Sequence, residues 1–272
     1  MAIDTILLAL ETSGKSGSVA LLKSLQGCTQ CDLELLESGS GSAKTLAPAI
    51  ARLLSRASVA PQQLTAIALI TGPGSFTGLR VGVSTAKAMA YALKIPTVEI
   101  DTLDVIASQT ASSVPILDVV LDAYRGQVFH SRYAFDLPSN LYRKVTETRI
   151  VDIDQLLLDA FVNTDQHPKE CQPDASARDK ASARDVGQIV FCGPGCGRIR
   201  SRLDDADFGE SGLSGMNLDR IHWLENHTSS PRADTVALLA FPKVRAGDLV
   251  DAFHLNPRYY RNSAAEEKLR KL

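Results

Sequence analysis

The sequence predicts an α/β protein organised as two strand-and-helix halves, and three observations carry that prediction. Short apolar runs of strand length alternate with longer amphipathic stretches. Each half opens on two such runs joined by a short polar turn, the mark of a hairpin. The 272 residues suit two modest cores better than one, because domains cluster near roughly 100 to 150 residues.

Residues 6–11 form a compact apolar run that ends in the polar turn Thr12-Ser13-Gly14, and residues 18–22 are a second run of strand formers, giving the first hairpin. Residues 31–36 predict a third strand. Gly39-Ser40-Gly41-Ser42 then breaks the chain before Leu46, Ile50, Leu53 and Leu54, whose spacing places them on one face of a helix over 43–57. A buried strand over 66–71 runs into Gly72-Pro73-Gly74, and residues 78–93 have the length and alanine content of a helix. Residues 97–100 give another strand, after which Asp101 caps a helix over 102–109.

In the second half, strands over 116–122 and 127–135 are joined by Ala123-Tyr124-Arg125-Gly126 as a second hairpin. Asp152 caps a helix that reaches residue 162. The polar stretch 163–187, with Ser-Ala-Arg-Asp at both 176–179 and 182–185, reads as a surface insertion. A strand over 189–192 enters the turn Gly193-Pro194-Gly195-Cys196-Gly197, and residues 233–245 form a late amphipathic helix. The expected division is 1–110, completed by the helix at 233–246, then 111–232, with 247–272 as a tail.

Composition narrows the function. Hydrophobic residues at 44% and charged residues at 22% allow a packed core. The 29 Lys and Arg against 31 Asp and Glu leave a net charge of -2, too weak a field for a dominant nucleic-acid binder. The first apolar run follows Asp4 and is too short for a signal or membrane segment, so a cytoplasmic location without membrane contact is expected. Five cysteines do not form a secreted disulfide framework. Cys28-x-x-Cys31 and Cys192-x-x-x-Cys196 carry enough thiols for zinc, but the second pair lies in a glycine-rich turn, so both read as ordinary thiols and no metal is expected. The five histidines include no His-x-x-x-His and no His-Glu-x-x-His, which leaves a zinc peptidase unsupported. No catalytic residue is assigned.

The sharpest local feature is Thr71-Gly72-Pro73-Gly74-Ser75-Phe76-Thr77-Gly78-Leu79-Arg80 between a strand and a helix. Such a turn offers free N–H groups and a positive helix end to a phosphate, with Gly72, Gly74, Ser75 and Thr77 as candidates. It lacks the Gly-Lys-Ser/Thr ending of a Walker loop, so a tight structural turn fits as well. Gly193 and Gly195 are the matching candidates in the second half. Glu11, followed by Thr12 and Ser13, and Asp122 each end a strand at a turn; as a pair they suit a magnesium nucleotide, and singly they suit turn capping. Gly78, Gly82, Ala86 and Ala90 recur every fourth residue as a stripe without bulk. That stripe, with Leu46, Ile50 and Leu53, fits either packing against the chain's own first helix or docking of a second protein.

The string from Ile70 to Gly82 resembles the TsaB (YeaZ-like) family, as do Leu8-Ala9-Leu10-Glu11-Thr12-Ser13, Leu46-Ala47-Pro48, Asp122-Ala123-Tyr124-Arg125-Gly126-Gln127-Val128-Phe129 and Pro257-Arg258-Tyr259-Tyr260-Arg261. The resemblance covers nearly the whole chain apart from 163–187. It implies a duplicated actin-like ATPase fold (ASKHA, ribonuclease-H-like) and a scaffold or activator role in threonylcarbamoyl transfer to N6 of adenosine 37 in tRNAs. The implied partners are a catalytic TsaD-like subunit as heterodimer, a TsaE-like ATPase, and tRNA mainly through the complex. ATP and magnesium are then used by the complex, with no cofactor tightly bound by this chain. The catalytic paralogue's His-x-x-x-His metal motif is missing here, and the family's glycoprotease label follows that paralogue. Glu11 stands where the family more often has Asp, Ser42-Ala43 where His-Ser is common, and Gln127 where Glu is usual. A stand-alone ATPase or small-molecule kinase and a structural homodimer in the partner's absence are the competing expectations.

Overall fold

Strands that are buried on both faces need a continuous apolar run, whereas strands at a sheet edge tolerate polar sequence. Both kinds occur in the computed structural model, which describes residues 4–14, 16–37, 41–111, 114–165, 187–205, 216–224 and 230–261. The chain forms two units, one of Met1–Val105 with Ser230–Leu272 and the other of Ile106–Ser229.

The first unit is built on five strands: β1 (Thr5–Glu11), β2 (Ser18–Leu25), β3 (Cys28–Leu35), β4 (Ala66–Gly72) and β5 (Thr97–Asp101), in spatial order β3-β2-β1-β4-β5. β1 and β4 are largely apolar and almost wholly buried, and they are central, pairing in parallel with Leu10 beside Leu69. β3 is the edge and is mostly exposed. Its polar residues at 28–30 explain why the sequence suggests a start at 31 while the strand begins at Cys28.

Helices α1 (Ser42–Arg56) and α2 (Phe76–Leu93) cover one face of this sheet, and α6 (Ala233–Ala246) covers the other. The first face packs Leu8, Leu10, Val19, Ile67 and Leu69 against Leu46, Leu53, Val83 and Ala86. The second packs Leu7, Ala9, Ala20, Ala68 and Ile100 against Val236, Ala237 and Ala240. The alternation of burial along each strand therefore needs both helical layers. The 18-residue α2 starts two residues before the expected Gly78, because Ser75 Oγ accepts a hydrogen bond of 3.3 Å from Gly78 N as an N-cap. Asp101 Oδ1 accepts from Leu103 N at 2.7 Å and so caps α3 (Thr102–Ser108).

Residues 248–261, the described part of the expected tail 247–272 after Gly247, lie along this unit. Val250 and Thr97 exchange both backbone hydrogen bonds, Leu255 is fully buried, and Arg258 N donates to Thr71 O at 2.8 Å. Tyr259 packs on Phe76 with 4.7 Å between centroids and accepts from Arg80 Nε at 2.9 Å.

The second unit has β6 (Ile116–Asp122), β7 (Gln127–Asp136), β8 (Leu141–Lys144), β9 (Arg149–Asp152), β10 (Ile189–Cys192) and β11 (Ile221–Leu224), with order β11-β10-β6-β7-β8 and β9 also on β7. Helices α4 (Ile153–Asp165) and α5 (Cys196–Asp204) complete it. Val120, Val128, Phe191, Leu156, Leu157 and Ile199 lie in its core. Asp152 Oδ1 accepts from Asp154 N at 3.0 Å, the expected cap of α4. The glycine turn closes earlier than expected, since Cys196 and Gly197 already belong to α5. α4 takes up 163–165 of the expected insertion, and residues 166–186 of it lie outside the described residues.

Reversing the second order gives β8-β7-β6-β10-β11, which matches β3-β2-β1-β4-β5 strand for strand. In each unit a three-stranded antiparallel meander continues into two parallel strands. The fold is duplicated.

Candidate functional site

In the first unit the turn after β1 lies directly on the start of α2. Thr12 Oγ1 donates to Gly78 O at 2.8 Å, and Ser75 N donates to Ser13 O at 2.8 Å. A Cβ on Gly74 would stand 2.7 Å from Ser13 Cβ, one on Gly78 1.9 Å from Thr12 O, and one on Gly82 2.4 Å from Thr12 Oγ1. These glycines are therefore needed for the chain's own turn to seat against the helix. Gly72 serves similarly, since a Cβ there would be 2.7 Å from Arg258 O. Ser75 caps the helix and Thr77 is exposed on its first turn.

Glu11, Thr12 and Ser13 are all buried, and Glu11 is fully so. Glu11 Oε1 accepts from Ser13 N at 2.6 Å, Ser13 Oγ at 2.7 Å and Gly14 N at 3.1 Å. Burial raises its pKa from 4.5 to about 7, against the opposing pull of those three hydrogen bonds. Oε2 is buried without a partner.

In the second unit Gly193 and Gly195 play the corresponding packing role. A Cβ on Gly193 would be 2.4 Å from Val120 O, and one on Gly195 2.9 Å from Leu121 N. Asp122 caps its own turn by accepting from Tyr124 N at 2.8 Å and pairs with Arg198 Nε at 2.9 Å. Glu11 thus belongs to one unit and Asp122 to the other, each engaged in its own turn.

The seven interface candidates face inward, which is the internal-packing alternative of the two that the sequence leaves open. Leu46, Ile50, Leu53, Ala86 and Ala90 are at most 5% exposed, and Gly78 and Gly82 abut Thr12. The physical reason is that α1 and α2 cover a sheet whose apolar residues on that side must be buried, and the bulk-free stripe is what lets α2 approach it. The opposite sides of the same helices are exposed: Ala47, Pro48 and Ala51 on α1, and Ser84, Ala88, Tyr91 and Ala92 on α2. Tyr91, 63% exposed, meets Phe253, 65% exposed, edge to face at 5.2 Å. Lys87 Nζ holds that turn by donating to Phe253 O at 3.1 Å. Sequence reasoning passed over this face because small residues line both sides of α2.

A buried charged cluster in the second unit also escaped the sequence reading. Asp118 Oδ1 lies 2.8 Å from His130 Nε2, while Arg132 donates to both Asp118 oxygens at 2.8 and 3.0 Å. Burial alone would raise the pKa of Asp118, but the hydrogen bonds and charges of His130 and Arg132 outweigh it and hold the carboxyl below its ordinary value. The cue was the strand register that sets Asp118 opposite Arg132.

Burial pushes the Cys192 thiol up to about 12, so it is protonated near neutrality. Among the described residues no group of three or more His, Cys, Asp or Glu could hold a metal ion, and no helix is long and apolar enough to cross a membrane.

A family model described as TsaD, tRNA N6-adenosine threonylcarbamoyltransferase, matches residues 38–268. The chain is 33% identical over 129 residues to the tRNA threonylcarbamoyladenosine biosynthesis protein TsaB of Bacillus subtilis (47% of this chain, 55% of that protein). It is 34% identical over 128 residues to the TsaB protein of Haemophilus influenzae (46% and 52%). It therefore spans about half the length of these curated relatives. Among solved structures, YeaZ from Pseudomonas aeruginosa superposes with a TM-score of 0.64 at 21% identity, covering 94% of this chain and 99% of that one. That likeness shows the duplicated actin-like, ribonuclease-H-like fold.

Proposed function

Because the chain belongs to the TsaD family, on its TsaB (YeaZ-like) side, we propose that it is the scaffold or activator subunit of the machinery that places threonylcarbamoyl on N6 of adenosine in tRNA. In this reading it heterodimerises with a catalytic TsaD-like subunit, a TsaE-like ATPase completes the complex in the cytoplasm, and tRNA, ATP and magnesium are handled by the assembly. The observation that carries the reading is the outward face of α1 and α2. Two adjacent helices present Ala47, Ala51, Ser84 and Ala88, small enough for another helix to approach closely, beside the exposed aromatic pair Tyr91 and Phe253. The helices are those the sequence singled out, and the proposed partner face is the side opposite the stripe.

Three substitutions on one helix test this. Ala86→Leu adds bulk to the inward side and should cost about 1–3 kcal/mol of monomer stability. Ser84→Arg and Ala88→Arg add bulk to the outward side and should melt like the parent, yet lose association with a TsaD-like subunit by at least about 10-fold, the equivalent of 1.4 kcal/mol. Melting and partner binding are measured on the same samples. Outward variants that bind like the parent would remove this face from the interface.

A further inference from the structure

The turn after β1 already holds a carboxyl group, and that group is the chain's own. Two nearly consecutive backbone N–H groups and a hydroxyl converge on Glu11 Oε1 at 2.6, 2.7 and 3.1 Å, which is the donor arrangement of a backbone nest for a phosphate oxygen. The neighbouring donors are also taken, with Ser75 N on Ser13 O and Gly78 N on Ser75 Oγ. The room that Gly74 and Gly78 leave is filled by Ser13 and Thr12. We propose that Glu11 is the resident ligand of the 11–14 turn, a carboxylate standing where a nucleotide phosphate would, so that this loop does not take the phosphates of ATP.

The fold family implies a nucleotide at such a loop, and the residues present do not fit one. An incoming phosphate would have to displace a fully buried carboxylate from its three donors, leaving a buried group of like charge unpaired. The buried, unpartnered Oε2 marks the same point from the other side: the donors converge on one oxygen only. This inference concerns the loop itself and stands or falls separately from the partner role proposed above.

Backbone amide resonances of Ser13 and Gly14 read the loop directly in the full chain. On adding magnesium ATP, and separately inorganic phosphate, at pH 8, both amides should stay in place. With no ligand, both should shift together in a single titration near the Glu11 value of about 7, and Glu11→Gln should abolish that titration. A saturable shift of both amides with magnesium ATP, or the absence of a shared titration in the parent, overturns the proposal. In Glu11→Ala, formate matches the carboxyl group removed and should raise the melting temperature by about 2–4 °C at saturation. No such rise is expected for the parent or for Glu11→Gln, whose amide oxygen still accepts from the turn. An equal formate response in all three proteins also overturns the idea. Should Glu11→Ala fail to fold, the parent titration and its loss in Glu11→Gln still decide.

Discussion

At the scale of single residues, Glu11 shows how burial changes what a carboxyl can do. With a pKa near 7 in the folded chain and 4.5 as its ordinary value, the folded state holds a proton that the unfolded state has released throughout that window. Stability contributed by this group therefore falls as pH rises from 4.5 to 7 and then levels off. The shift corresponds to a penalty on the order of 3 kcal/mol above pH 7. Urea unfolding at pH 5 and pH 8 should show the parent losing stability relative to Glu11→Gln by that amount, and equal changes in the two proteins would refute the burial argument. The sequence placed Glu11 at a strand end before Thr12-Ser13, which is where it lies, and it correctly read Asp101 and Asp152 as caps. It could not reveal that the Glu11 carboxyl is dry. Exposure is a property of the packed α6 layer, whose residues lie more than 200 positions away in the chain.

At the scale of elements, most strands and helices were legible where hydrophobic periodicity was strong. β1 and β4 hold continuous apolar runs over 6–10 and 66–70, β6 is apolar apart from Asp118 and the terminal Asp122, and α1 and α6 carry apolar stripes. The short strands β8, β9 and β11 escaped because four residues are too few to show a period, and β8 and β9 also hold two charged residues each. α5 was hidden by Gly197 in its first turn. Glycines within helices were the hardest to interpret, because the sequence does not say what lies opposite them. The structure separates two cases. Gly78→Ala forces a Cβ to within 1.9 Å of Thr12 O, a backbone atom that cannot swing aside, and should cost 3 kcal/mol or more, at or beyond the upper end of the usual ~1–3 kcal/mol for overpacking. Gly197 in α5 has nothing within 4 Å, so Gly197→Ala should stabilise by about 0.4–1 kcal/mol. Thermal melts of the two variants should move in opposite directions, and a harmless Gly78→Ala would mean that the turn is not clamped on α2.

At the scale of the whole molecule, the family resemblance implies the duplication that the two strand orders display, but the way the chain closes its first unit was only half visible. The sheet of that unit has two apolar faces. Residues 1–105 cover one of them with α1 and α2, and the other carries Leu7, Ala9, Ala20, Leu22, Ala68, Ile70, Val98 and Ile100, to which the described helices of 1–105 add only Leu79 and Val105, so that its main cover comes from farther along the chain. That cover is α6, fixed at its start by Ala233 N donating to Ser18 Oγ at 2.9 Å, with residues 248–261 then pinning β4, β5 and α2. A fragment ending at residue 110 would expose this whole apolar face to water, and each buried Leu or Ile side chain is worth about 1.5–3 kcal/mol. Exposing Leu7, Leu22, Ile70 and Ile100 alone removes about 6–12 kcal/mol, comparable to the whole ~5–15 kcal/mol by which a folded domain is ordinarily stable. Residues 1–110 alone should therefore show no cooperative thermal transition, while the same residues joined through a glycine-serine linker to 230–261 should recover one. The linker has only to bring back the missing layer, because closing a longer loop costs little extra entropy. A cooperative melt from residues 1–110 alone would show that the sheet can bury its second face without α6, and would make the C-terminal end an accessory rather than a structural part of the first unit.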